Sequence, residues 1–170
     1  DHNKEMVFKF NDLEHKGSFV ALRIEGDKIS IDEKIKALTD ELELNKLDTT
    51  ILDVHQSTPF WRKINNLELF KQTKNNLLRV VIPPSKGKKL MKYLGNKYKY
   101  YIDWCGSLYW VEVKSKKNTK VGEIKNLIKE LGGYLTIIKT SDEYDYGETI
   151  FTVDDTRLLI SEKIKKSFDP

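Results

Sequence analysis

"KYKYYIDWCGSLYWVEV", Lys97 to Val113, is the stretch on which the fold turns. "KYKYYIDW" is rich in aromatic residues and reads as a strand. "CG" reads as a tight turn and "SLYWVEV" as the returning strand. The hairpin holds two of the three tryptophans, Trp104 and Trp110, and the single cysteine, Cys105. Asp103, between Ile102 and Trp104, is the odd residue: a core strand wants the aromatics but not the carboxylate.

Upstream, "NLLRVVIPP" (Asn76 to Pro84) is a strand stopped by two prolines, and "SKGKKLMKYLG" is a short helix with Gly95 as its C-terminal cap. Downstream, "TKVGEIKNLIKELGG" places Val121, Ile124, Leu127, Ile128 and Leu131 on one helical face, and "YLTIIK" is a further strand. The order from Leu77 is therefore β-α-β-β-α-β, a split-βαβ or ferredoxin-like unit. The fold class expected is α+β: a largely antiparallel sheet with its helices on one face and the other face free to cover something.

The N-terminal half should add a β-α-β-α arrangement. "SFVALRIEG" (Ser18 to Gly26) reads as a buried strand, and "SIDEKIKALTDELEL" as a helix capped by Ser30. "TTILDVH" (Thr49 to His55) reads as a strand, and "STPFWRKINNLELF" as a helix with Ser57 or Thr58 as cap and Pro59 in its first turn. "SDEYDYGE" (Ser141 to Glu148) is an acidic loop, and "DDTRLLISEKIKKSF" is a last helix capped by Asp154 or Asp155.

Composition narrows the function classes. The 170 residues suit one domain or two small lobes, and 39% hydrophobic residues are enough for a core. The net charge of +4 combines 30 basic with 26 acidic residues, which does not demand a nucleic-acid partner. One cysteine excludes an internal disulfide and a cysteine-based metal cluster. His2, His15 and His55 are too scattered to form a metal site, so none is expected. No apolar run approaches the ~20 residues of a membrane span. There is no G-x-G-x-x-G, no G-x-x-x-x-G-K-[ST] and no G-x-S-x-G. A self-contained dehydrogenase or hydrolase is not expected.

Four segments in order resemble the C-terminal half of the FAD-binding subunit of glycolate oxidase, a flavoprotein of the vanillyl-alcohol-oxidase type. They are "LRIEG", the pair "FWRKI" and "LLRVVIPPS", "IDWCGSLYW", and the closing "KIKKSFDP". The third matches a family "DWGGAQRW", with Cys105 for a glycine and Leu108 and Tyr109 for Gln-Arg. The resemblance implies that residues 18–170 are a cap, or substrate, domain, and that residues 1–17 lead in from an N-terminal FAD-binding domain cut away at Asp1. FAD would be held by that other domain, with no cofactor in this fragment. The cap would cover the flavin and shape the pocket for glycolate or a related 2-hydroxy acid. The implied partners are a second flavin subunit and an iron–sulfur subunit. The implied location is cytoplasmic, or peripheral at the inner membrane through those subunits.

The candidate flavin- or substrate-facing residues are Arg79, Asp103, Trp104, Arg23, Trp61 and Arg62. Arg79 interrupts an apolar strand, and a guanidinium is a natural bidentate partner for a carboxylate or phosphate. It could equally pair with Asp103 or Glu25 across the sheet. Arg23 admits the same two readings. Asp103 could orient an arginine or a ring nitrogen, or bond the turn's own backbone. Trp104 and Trp110 could wall a flavin or pack as core. Trp61 and Arg62 could touch a neighbouring domain, or Trp61 could staple the local core. A second class remains open: a small-ligand or single-strand RNA-binding module built on the same sheet.

Overall fold

The computed structural model describes residues 7–10, 13–16, 19–47, 49–114, 119–142, 150–152 and 154–168. The chain divides into two compact units, Asp1–Leu69 and Phe70–Pro170. The division falls inside the segment that the sequence reading assigns to a single cap domain. Most of the acidic loop, with Tyr144 and Tyr146, lies outside the described residues, as do His2 and both chain ends.

In the first unit, strands β1 (Val7–Phe10) and β2 (Leu13–Lys16) pair antiparallel, with Val7 opposite Lys16. The expected lead-in therefore contains a hairpin. Helix α1 (Lys28–Glu41) starts earlier than expected, because the Asp27 side chain accepts the Ser30 amide at 3.0 Å. Helix α2 (Val54–Asn65) also starts early. Asp53 accepts the Gln56 amide at 2.9 Å, and the Gln56 side chain accepts the Asp53 amide at 3.2 Å. This reciprocal capping box draws "VH" into the helix and leaves Pro59 inside it.

Two expected strands are not formed. Residues 19–25 and 49–53 have no regular structure. Val20, Leu22 and Ile51 are exposed, and no described strand pairs with either segment. An apolar, β-branched run without a neighbouring strand has no ladder for its backbone groups. Within residues 19–69 Phe60 is buried, with Phe19 and Trp61 meeting its ring edge-to-face at 6.5 and 5.3 Å.

The second unit holds the core. Its elements are β3 (Asn76–Val81), α3 (Gly87–Leu94), β4 (Lys99–Asp103), β5 (Leu108–Val113), α4 (Thr119–Glu130), β6 (Tyr134–Lys139) and α5 (Asp155–Phe168). The sheet order is β4-β5-β3-β6, and every neighbouring pair is antiparallel. Strand β5 thus lies between β3 and β4, which run parallel and are joined through α3. The protein is of the α+β class.

Period-2 alternation explains the core. Leu78 and Val80 on β3, Tyr109, Val111 and Val113 on β5, and Leu135 and Ile137 on β6 point to one face. Leu90 and Leu94 of α3 and Val121, Ile124 and Ile128 of α4 close over it. The Arg157 guanidinium of α5 lies 5.1 Å from the ring centre of Tyr134, a residue of the face opposite the core. As expected, Asp154 caps α5, accepting the Arg157 amide at 2.9 Å.

Helix α4 ends with Gly132 in the left-handed region (φ +71), where it donates to the Lys129 carbonyl. Gly133 donates to the Ile128 carbonyl, which completes the two bonds of a Schellman motif. A methyl group on Gly133 would stand 2.5 Å from the Val81 carbonyl oxygen and 2.5 Å from the Ile82 side chain. Gly133→Ala should therefore destabilise the protein by about 1–3 kcal/mol through overpacking. A urea midpoint unchanged from the parent would show that β3 yields at this point.

Candidate functional site

The second face of the sheet is built from the residues that alternate with the core. Register places them in rows. Tyr101, Trp110, Arg79 and Thr136 form the middle row across β4, β5, β3 and β6. Lys99, Glu112, Leu77 and Lys139 form the row on one side; Asp103, Leu108, Val81 and Tyr134 form the row on the other.

The first of these flanking rows is covered. Phe70 stacks on Tyr101 with ring centres 5.8 Å apart, and the Lys99 ammonium lies 5.5 Å from the Phe70 ring centre. The Glu112 carboxylate accepts from the Thr73 hydroxyl and the Asn75 amide group, and the Lys139 ammonium donates to the Thr73 carbonyl. These bonds fasten the segment 70–75 over that end of the face and occupy its charges.

The other end is open and aromatic. Trp104 is 57% exposed and Tyr134 46% exposed. The half-buried Arg79 rises between the Trp110 and Thr136 positions, and its guanidinium carbon lies 5.2 Å from the Trp104 ring centre. That is within cation–π range. Among the described residues no carboxylate pairs with Arg79.

The hairpin turn that presents Trp104 is not the two-residue turn expected. Asp103 pairs with Leu108, so residues 104–107 form the loop. Trp104 and Cys105 both adopt left-handed backbone conformations, with φ of +50 and +51. For bulky residues this costs ~1–3 kcal/mol each and persists only where surroundings enforce it. The enforcing bonds are local. Asp103 accepts the Trp104 amide at 2.8 Å, and the Trp104 carbonyl accepts the Ser107 amide at 3.1 Å and the Ser107 hydroxyl at 3.0 Å. Asp103 is thus the residue that sets the turn, as one of its two readings had it, and is not a partner of Arg79.

The structure brings Arg79, Asp103 and Trp104 together in the second unit; the other candidates belong to the first unit. Arg23 and Trp61 belong to the first unit, where Arg23 forms an ion pair with Glu25 and lies 6.0 Å from the Trp61 ring centre. Arg23 lies on irregular backbone and not within a strand. Arg62 is exposed in the last turn of α2, where a cation complements the helix C-terminus. A groove of about 550 Å³ in this unit is lined by Arg23, Glu25, Lys34, Leu38 and Glu41. Its cations are engaged within it, since Lys34 donates to the Glu25 carbonyl at 3.3 Å. Tyr101 and Tyr134 escaped the sequence reading. The signal was the strand period, which puts Tyr101 on the face of Asp103.

Cys105 is free and exposed. Among the described residues no group of three or more His, Cys, Asp or Glu side chains could hold a metal ion. No described helix is long and apolar enough to cross a membrane. No protein-family model, curated protein or solved structure matches the chain.

Three phenols are held neutral. Burial first, then Tyr98 and Glu123, pushes Tyr93 up to about 12. Burial and the Asp103 carboxylate raise Tyr101, and burial and Tyr100 raise Tyr109. The folded values lie above the unfolded value of about 10. Their contribution to stability is therefore full below pH ~10 and is lost as pH rises through the folded values. An ultraviolet tyrosinate titration should show three phenols ionising late, with unfolding on the alkaline limb; ionisation of all eight at the free-tyrosine pH contradicts this.

Asp103→Ala removes the acceptor for the strained Trp104 amide and should lower stability by about 1 kcal/mol, while Asp103→Asn keeps an acceptor and should lose less. Thermal melts of the two variants make the comparison, and equal melting points would deny Asp103 this role.

Proposed function

We propose that the chain is the cap domain of an FAD-dependent 2-hydroxy-acid oxidase or dehydrogenase, with the Arg79 face turned to the flavin and substrate. One observation carries the reading. The open end of the sheet presents a single guanidinium, free of carboxylate partners among the described residues, between aromatic surfaces. Two of the segments that resemble the glycolate oxidase FAD subunit, "LLRVVIPPS" and "IDWCGSLYW", lie on β3 and on the β4–β5 hairpin, the strands that build this face.

The residues fit a covering role better than a holding one. Trp104 and Trp110 offer flat apolar surface to a ring system, while no phosphate-binding glycine motif is present in the sequence. FAD bound in a separate domain would supply the oxidising equivalents that turn the hydroxy acid into the oxo acid. This chain would close the pocket, exclude water and orient the acid. A second flavin subunit and an iron–sulfur subunit would complete the assembly. Along α5, Leu158, Leu159, Ile160 and Ile164 are exposed and provide apolar surface for such partners.

The reading frame that encodes this chain should also encode an FAD-binding domain upstream. The joined protein should purify yellow and oxidise glycolate or a related 2-hydroxy acid, and the 170-residue chain alone should bind no FAD. A frame without an FAD domain ends the proposal. The aromatic open face also favours a second reading, stacking of single-stranded RNA. Fluorescence titration with mixed RNA oligomers at two salt concentrations separates the two, since binding that weakens steeply with salt supports RNA.

A further inference from the structure

We infer that Arg79 and Trp104 form a binding site for one small carboxylate, and that Trp104 is a positioning residue which holds the guanidinium for in-plane contact. The inference deepens the cap reading and rests on it for the identity of the acid, but the site belongs to this chain alone.

Three observations combine. First, the Arg79 guanidinium carbon lies over the Trp104 ring, 5.2 Å from its centre. A guanidinium that an indole holds through its π-face keeps its N–H edges available, and those edges match the two oxygens of a carboxylate. Second, among the described residues the carboxylates of this face are engaged elsewhere. Asp103 accepts the Trp104 amide, Glu112 accepts from Thr73 and Asn75, and Asp154 pairs with Arg157 at 3.2 Å. Third, Trp104 stands over Arg79 only because the hairpin accepts left-handed backbone at Trp104 and Cys105. A relaxed two-residue turn would close the same strands without it. An indole held in a disfavoured conformation above an arginine with no carboxylate partner among the described residues points to function.

The chemistry selects a carboxylate over a phosphate. On this face Lys139 is bonded to the Thr73 carbonyl, Lys99 lies over Phe70, and Arg157 is paired with Asp154. One guanidinium balances a single negative charge, whereas a phosphate dianion calls for more cations.

The test is a tryptophan-fluorescence titration of the 170-residue chain at constant ionic strength, with glycolate, acetate and methyl glycolate as probes. Glycolate and acetate should give a saturable change, and the uncharged ester none. Arg79→Met should weaken binding by about tenfold or more, the loss expected for hydrogen bonds to a charged group. Arg79→Lys should weaken it less. Trp104→Phe should retain binding and Trp104→Leu should lose most of it, read by calorimetry because the fluorophore changes; Trp104 is exposed, so both variants should fold. No saturable response to either acid, an equal response to the ester, or undiminished binding by Arg79→Met overturns the inference. Carboxylate binding by a chain whose frame lacks an FAD domain would sink the cap reading alone. An FAD domain upstream of a chain that binds no carboxylate would sink this inference alone.

Discussion

The alternation of Leu78, Arg79 and Val80 along β3 is the constraint on which the second unit depends. Strand β3 is central, paired with β5 on one side and β6 on the other. Leu78 and Val80 are fully buried against α3 and α4, so Arg79 must emerge on the opposite face. Because strand side chains repeat every two residues, a slip of one position would drive the guanidinium into the apolar core. The residue that makes the register costly to change is the same one that gives the open face its charge. Packing and candidate function are thus two consequences of one alternation.

The open face owes its shape to unequal covering. The segment 70–75 closes one end through Phe70 on Tyr101 and through the bonds among Thr73, Asn75, Glu112 and Lys139. At the other end the turn that begins at Trp104 lifts an indole over Arg79. A paired salt bridge at this place would have neutralised the arginine. Asp103 was positioned in sequence to do that, but its carboxylate bonds the backbone of its own turn. The arginine is held by a ring, and among the described residues no carboxylate compensates its charge.

Local signals were legible where local bonding decides. Strand β3, the β4–β5 hairpin, α4 and its glycine stop, and β6 were all readable from period and punctuation, and each formed where expected within a few residues. The first unit was harder to read. "FVALRIE" and "TTILDV" have strand composition, yet a strand exists only where another strand accepts its hydrogen bonds, and the described chain provides none. The starts of α1 and α2 were misplaced because Asp27 and Asp53 capture the backbone ahead of the serines and threonine that looked like caps.

Sequence alone determined the α+β class, the order of elements from Leu77, and the presence of an arginine where an apolar residue was due. These follow from side-chain period and from the rigid preferences of proline and glycine, which act within a few residues. Only the tertiary structure decided which row of the second face is covered and that Trp104 meets Arg79 from a different strand end. Those outcomes rest on contacts between residues 25 or more positions apart in the chain, such as Arg79 with Trp104 and Thr73 with Glu112, and on backbone conformations that residue type disfavours. No local pattern encodes either.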